Sequence, residues 1–302
     1  MSATRPIRRS LDWGRLAPLR LRAREVAEGV FAGMHRSVRR GAGVEFGGYR
    51  EYVPGDDLRW LDRRSLLRHD RLVVRQFETE TDRALCLVVD ASASMAFRGP
   101  RAPGAKLAFA AVAAAALSRV ALASGDPVAL TFVGGGGHHA PVPRAGGREQ
   151  FERVVAALEA VQPGGDARAD PSVLTRAIPA ITRATRRGAI VVVLSDLVDL
   201  PEDGPERVTE LASQGRVLVV AQTLDPAEVD FPFEGTVRLR ALEGGAVVET
   251  DAATARDPYM SALAALTERW QKAVVGRGGR FVRATTADDP VRLVRSIVES
   301  LR

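Results

Sequence analysis

Short, unbroken apolar runs alternate along most of this chain with longer stretches whose apolar positions recur every three or four residues. Residues 84–90 (ALCLVVD) form the first such run, the composition of a strand buried on both faces. Residues 127–133 (PVALTFV), 189–194 (AIVVVL), 216–223 (RVLVVAQT) and 280–284 repeat it, and 140–142 predict one more short strand. Helical spacing fills the intervals at 106–124, 149–161, 171–186, 205–213 and 257–275, and a last helix starts at Pro290. Strands alternating with helices imply right-handed βαβ crossovers, hence an α/β fold with a mostly parallel sheet covered by helices on both faces. Residues 236–241 and 246–250 flank Glu243-Gly244-Gly245 and predict a hairpin.

The first 83 residues are patterned differently. Leu16, Leu19, Leu21, Val26, Val30 and Phe31 have roughly helical spacing within 15–33. A glycine-punctuated passage follows, in which Val53-Pro54-Gly55-Asp56 is a turn. Asp56 or Asp57 is placed to cap a short helix ending near Arg68, and 72–77 reads as a strand. Two units are therefore expected: a small, basic, β-containing cap over 1–83 and the α/β domain over 84–302.

Composition narrows the class. A chain of 302 residues that is 46% hydrophobic and 26% charged belongs among globular proteins, not disordered ones. The longest apolar stretch, 107–123, is interrupted by Ser118 and Arg119 and runs into Ser-Gly-Asp-Pro, which predicts a buried helix and no membrane span. The opening MSATRPIRRSLDWGRL lacks the apolar core of a secretory signal, and Cys86 is the single cysteine. A cytoplasmic location is expected. Net charge is +6, with 17 Arg against nine acidic residues in 1–75. Such a segment suits nucleic acid, anionic lipid or an acidic protein. Aromatic residues do not recur there at a stacking interval, so a solvated basic face is the simpler reading.

Ligands of open α/β sheets bind beyond the carboxyl ends of the strands. The first strand ends in Asp90-Ala91-Ser92-Ala93-Ser94-Met95 and the strand at 189–194 ends in Ser195-Asp196-Leu197. Asp90, Ser92 and Ser94, spaced two apart in a tight loop, direct a carboxylate and two hydroxyls to one side, and Asp196 adds a second carboxylate. Oxygen-only ligands with room for water suit Mg²⁺ or Mn²⁺. Simple capping of the next helix would account for one serine but not for two, nor for the second acidic strand end.

The Asp-x-Ser-x-Ser loop with the later Ser-Asp resembles the metal-ion-dependent adhesion site of von Willebrand factor A domains. A longer signature lies upstream: Gly43-Val44-Glu45-Phe46, then residues 50–62 (REYVPGDDLRWLD) with Asp56, Asp57, Arg59 and Asp62, then 72–78 (LVVRQFE). Together these resemble a bacterial family catalogued as domain of unknown function fifty-eight. Its members accompany MoxR-type AAA+ ATPases. The resemblance covers about residues 35–225. It implies a protein-binding site in which a partner's acidic side chain fills an open position on the cation. Two positions depart from the family pattern. Arg63 stands where the family has Trp, and Ala169 stands where the metal site takes a Thr from a loop. Asp170, Asp166 or a water is the candidate replacement for that Thr.

Enzyme motifs fit poorly. Residues 99–107 (GPRAPGAKL) resemble a phosphate-binding loop, but Lys106 is one place late and no Ser or Thr follows it. Asp90-Ala91-Ser92 lacks the second aspartate of an aspartyl-phosphate hydrolase, and no Gly-x-Ser-x-Gly elbow occurs. His138 and His139 read as surface residues of a glycine-rich turn. The expectation is a non-enzymatic adaptor that couples a MoxR-type AAA+ ATPase to a client protein. The alternatives are a nucleic-acid-binding protein using the basic segment and a metal-dependent phosphohydrolase.

Overall fold

The computed structural model describes residues 11–34, 45–51, 73–78, 83–136, 139–165, 170, 172–198, 200–240 and 247–301. The expected signature residues Asp56, Asp57, Arg59 and Asp62, with Arg63, Asp166 and Ala169, lie outside the described residues, as does the short helix expected after Asp57.

Ten strands and eight α-helices follow one another as α1 (Leu19–Met34), β1 (Glu45–Glu51), β2 (Val73–Glu78), β3 (Leu85–Asp90), α2 (Lys106–Ala123), β4 (Val128–Val133), β5 (Val142–Ala145), α3 (Arg148–Ala160), α4 (Ser172–Ala184), β6 (Ile190–Ser195), α5 (Gly204–Thr209), β7 (Val217–Leu224), α6 (Pro226–Asp230), β8 (Thr236–Arg240), β9 (Val247–Asp251), α7 (Ala252–Gly276), β10 (Arg280–Thr285) and α8 (Pro290–Ser300) among the described residues. Six strands form the central sheet in the order β10-β7-β6-β3-β4-β5. Every neighbouring pair is parallel except β4 and β5. This is the expected von Willebrand factor A-like α/β architecture. β1 pairs with β2 and β8 with β9 as separate antiparallel sheets, so the N-terminal region does contain β structure.

The period-two alternation of the buried strands sorts their side chains between two cores. Leu85, Leu87, Val89, Val192, Leu194, Val219 and Ala221 face one side. Cys86, Val88, Val191, Val193, Leu218 and Val220 face the other, against Val173, Leu174 and Ile181 of α4, Val208 of α5, and Trp270 and Val274 of α7.

The first core is built around α2. Its Ala-rich, all-round apolar surface suits a helix enclosed on every side, and Phe109, Val112 and Leu117 are buried with their neighbours. It is the one helix among the described residues long and apolar enough to cross a membrane, and 83% of that stretch is buried inside the fold. α1 packs on it through Leu19, Ala23, Val26, Ala27 and Val30, a stripe at helical spacing. Leu293, Val294 and Ile297 of α8 complete the cover. Residues 11–34 thus share the main hydrophobic core with the α/β elements.

α2, which links β3 to β4, covers one face, whereas α5, which links β6 to β7, covers the other. The loops leaving β3 and β6 diverge, and a crevice opens between these adjacent strands at their carboxyl ends. Asp90 and Asp196 stand at that crevice.

Candidate cation site

The loop after β3 is held by its own backbone and by two glycine-bearing neighbours. Ala91 N–H donates to the Val133 carbonyl (2.8 Å) and Gly164 N–H to the Ala91 carbonyl (2.9 Å). Gly134, at φ +70°, lies so close that a Cβ there would sit 3.1 Å from the Ser92 nitrogen. Glycine is required on both counts.

Asp90 and the two serines are buried. Asp90 Oδ1 accepts from the Ser92 N–H (2.8 Å) and Oδ2 accepts from the Ser195 hydroxyl (2.5 Å). The Ser92 and Ser94 hydroxyls are 3.0 Å apart, converging as the alternate spacing predicts. A cavity beneath Asp90 and Ser195 is otherwise apolar, with Val88, Leu174, Ile178 and Val193 in its wall. Burial, reinforced by the negative charge of Asp196, lifts the Asp90 carboxyl to about 6 despite its hydrogen bonds. The structure therefore brings Asp90, Ser92, Ser94 and Asp196 to one crevice.

Asp170 is differently engaged. Its carboxylate accepts from the Ser172 N–H (3.0 Å) and Ser172 hydroxyl (2.5 Å) at the start of α4, and pairs with Arg176 (2.5 Å). Hydrogen bonds from Arg176 and Ser172 hold this half-exposed acid down at about 2. These contacts tie Asp170, expected as a replacement for the missing Thr, to the start of α4. His139, expected at the surface, is half-buried with its ring edge-on to Phe132, 5.8 Å between centroids.

Sequence reasoning missed Lys106 and Glu228. Lys106, the first residue of α2, is 1% exposed. Its Nζ donates to Asp196 Oδ2 (2.7 Å) and Glu228 Oε1 (2.5 Å) and lies 5.7 Å from the centre of the Phe97 ring. Burial pulls its pKa down, but Asp196 and Glu228 outweigh that and leave it above the ordinary lysine value. Burial raises the Glu228 carboxyl, and Lys106 partly offsets the rise. Glu228 Oε2 accepts from the Asp225 N–H (2.7 Å) while Asp225 caps α6 through the Ala227 N–H (2.9 Å). Asp225 also accepts from the Gly99 N–H (2.8 Å) and the Thr286 hydroxyl (3.3 Å). Both residues left a signal in the chain. Asp-Pro-Ala-Glu after a strand is a capping-box sequence, and a lone charge heading an apolar helix demands a buried partner.

Lys106 pairs with Asp196 and the largely buried Glu228, and Asp90 and Asp225 are buried as well, so the buried carboxyl groups here outnumber the ammonium. Among the described residues no three His, Cys, Asp or Glu gather in a metal-holding cluster. The donor set is two carboxylates and two hydroxyls, and water would complete it. This fits a hard divalent cation, which retains several waters.

The model of a family of proteins of unknown function, DUF58, matches residues 48–269. The chain belongs to the DUF58 family. Two uncharacterized proteins, Mb1516 of Mycobacterium bovis and Rv1480 of Mycobacterium tuberculosis, are each 30% identical to this DUF58 chain over 288 residues, which is 95% of it and 89% of theirs. BatB from Bacteroides thetaiotaomicron is similar in structure at 15% identity and TM-score 0.47, covering 72% of this chain and 98% of its own. An aerotolerance-related membrane protein from Bacteroides fragilis gives 17% and 0.43, with 72% and 97% covered. The SpRpn10 von Willebrand factor A domain gives 10% and 0.39, with 72% and 94% covered. With scores this low, the architecture rests on strand order and register.

Proposed function

We propose that this DUF58 protein is a non-enzymatic interaction adaptor that grips its partner through a divalent cation. The observation that supports this reading is the convergence of Asp90, Ser92, Ser94 and Asp196 at the strand crevice, amid buried negative charge. These four residues would hold Mg²⁺ or Mn²⁺, which supplies a Lewis-acidic position for a carboxylate of the partner. Asp90 is held in place by Ser92 and Ser195, and Asp196 by the Val198 N–H (3.0 Å) and Lys106. Both carboxylates are thus oriented by hydrogen bonds before any partner arrives, which limits the ordering cost of binding.

The sequence resemblance supplies the partner class, a MoxR-type AAA+ ATPase, with a client protein whose assembly or activation the pair promotes. On this reading the protein works in the cytoplasm, where such an ATPase finds its ATP. The test is capture of the MoxR-type ATPase by the full chain, with Mg²⁺ or with chelator, for the wild type and Asp90→Ala. Capture should disappear with chelator and with Asp90→Ala, whose circular dichroism should remain native. Capture indifferent to both would overturn the reading.

A further inference from the structure

Lys106 is poorly placed for a purely structural residue. It opens α2, an 18-residue helix, and its ammonium therefore lies at the helix end that repels cations. It is also enclosed, at 1% exposure, where an ammonium is costly unless paired. What holds it there is one oxygen of Asp196 and one of Glu228. Asp196 is one of the four residues proposed to hold the cation.

We propose that Lys106 is a tethered counter-ion that competes with the divalent cation for Asp196, so that the site exchanges an internal ammonium for an external metal. The inference rests on the cation-site reading and adds its regulation. The carboxylate of Asp196 already accepts from Lys106 on Oδ2 and from the Val198 N–H on Oδ1. A second cation beside Asp196 meets the ammonium's repulsion in a buried, weakly screened setting. Metal affinity is thereby lowered, and the metal-free fold is spared an unpaired carboxylate. The exchange has a mechanical consequence. Glu228 joins Lys106 to the capping box of α6, whose Asp225 is tied to Gly99 in the loop before α2 and to Thr286 after β10. Withdrawal of Lys106 from Asp196 loads this network. Cation occupancy in the crevice is thus coupled to the position of α6.

The test is calorimetric titration of the full chain with Mn²⁺, alongside melting with and without Mn²⁺, for the wild type, Lys106→Gln and Lys106→Met. Gln keeps a hydrogen-bond donor and removes the charge. Both variants should melt lower than the wild type without metal, bind Mn²⁺ at least tenfold more tightly, and show a larger Mn²⁺-induced rise in melting temperature. A variant that folds only with Mn²⁺ also supports the proposal. Equal or weaker affinity overturns it while leaving the cation site standing. No Mn²⁺ binding by any of the proteins removes the site and the inference together. Should neither variant fold under any condition, the wild type still decides. Lys106 and Lys272 are its two lysines, so ¹⁵N-lysine labelling gives two ammonium signals, with the 75%-exposed Lys272 as the internal control. Mg²⁺ should shift the Lys106 signal and leave Lys272 unmoved. An unmoved Lys106 signal at saturating Mg²⁺ overturns the exchange.

Discussion

Without metal, the protein should lose stability as pH rises through the range in which Asp90 ionises. An aspartate in the unfolded chain titrates near 3.8, whereas burial and Asp196 lift the native Asp90 to about 6. Between those values the native state holds a proton that the unfolded chain has released. Stability therefore falls with rising pH across this window and stays lower above it. At about 1.4 kcal/mol per pH unit of separation, the loss has a ceiling of roughly 3 kcal/mol. Asp90→Asn removes the charge, keeps an acceptor for the Ser92 N–H, and turns an amide toward Ser195. It should be more stable than the wild type by about 1–3 kcal/mol near pH 7.5 in chelator. The two proteins should converge near pH 4. Glu228 is also raised by burial and contributes a slope of the same sign, which Asp90→Asn retains, so the difference between the two proteins isolates Asp90. Urea unfolding followed by tryptophan fluorescence at several pH values measures both curves. Saturating Mn²⁺ should flatten the wild-type curve toward neutral pH and do little to the variant. Parallel curves for the two proteins in chelator would refute the reasoning.

Gly134→Ala should cost about 1–2 kcal/mol in urea unfolding and weaken Mn²⁺ binding, because the residue sits at φ +70° with its new Cβ 3.1 Å from the Ser92 nitrogen. An unchanged midpoint would show that the loop yields freely. Asp170→Ala should leave Mn²⁺ affinity within about twofold of the wild type, with a slightly lowered melting temperature from the lost contacts at the start of α4. A tenfold loss of affinity would return Asp170 to the ligand set.

Much of the fold was legible because burial on both faces leaves a mark on single segments. Residues 84–90, 189–194 and 216–223 are apolar without interruption, and β3, β6 and β7 formed within a residue or two of them. The Asp-x-Ser-x-Ser loop was equally local: Asp90, Ser92 and Ser94 lie within five residues, so their spacing alone predicted that these groups would meet. The stripe along 15–33 identified α1 as amphipathic, but periodicity does not name the surface that a stripe will cover. Tertiary packing laid it on α2 in the main core. Lys106 shows the same limit more sharply. In the chain it stands in a failed phosphate-binding loop, 90 residues before Asp196 and 122 before Glu228. Only the parallel register of β3, β6 and β7, with the first residue of α2 brought to their carboxyl ends, joins these charges, and an ion pair between distant segments imposes no period on either. Sequence alone thus determined which segments are buried and which loop gathers a carboxylate and two hydroxyls. The tertiary structure decided which charges share that loop's crevice, since Coulomb attraction depends on distance in space and not along the chain.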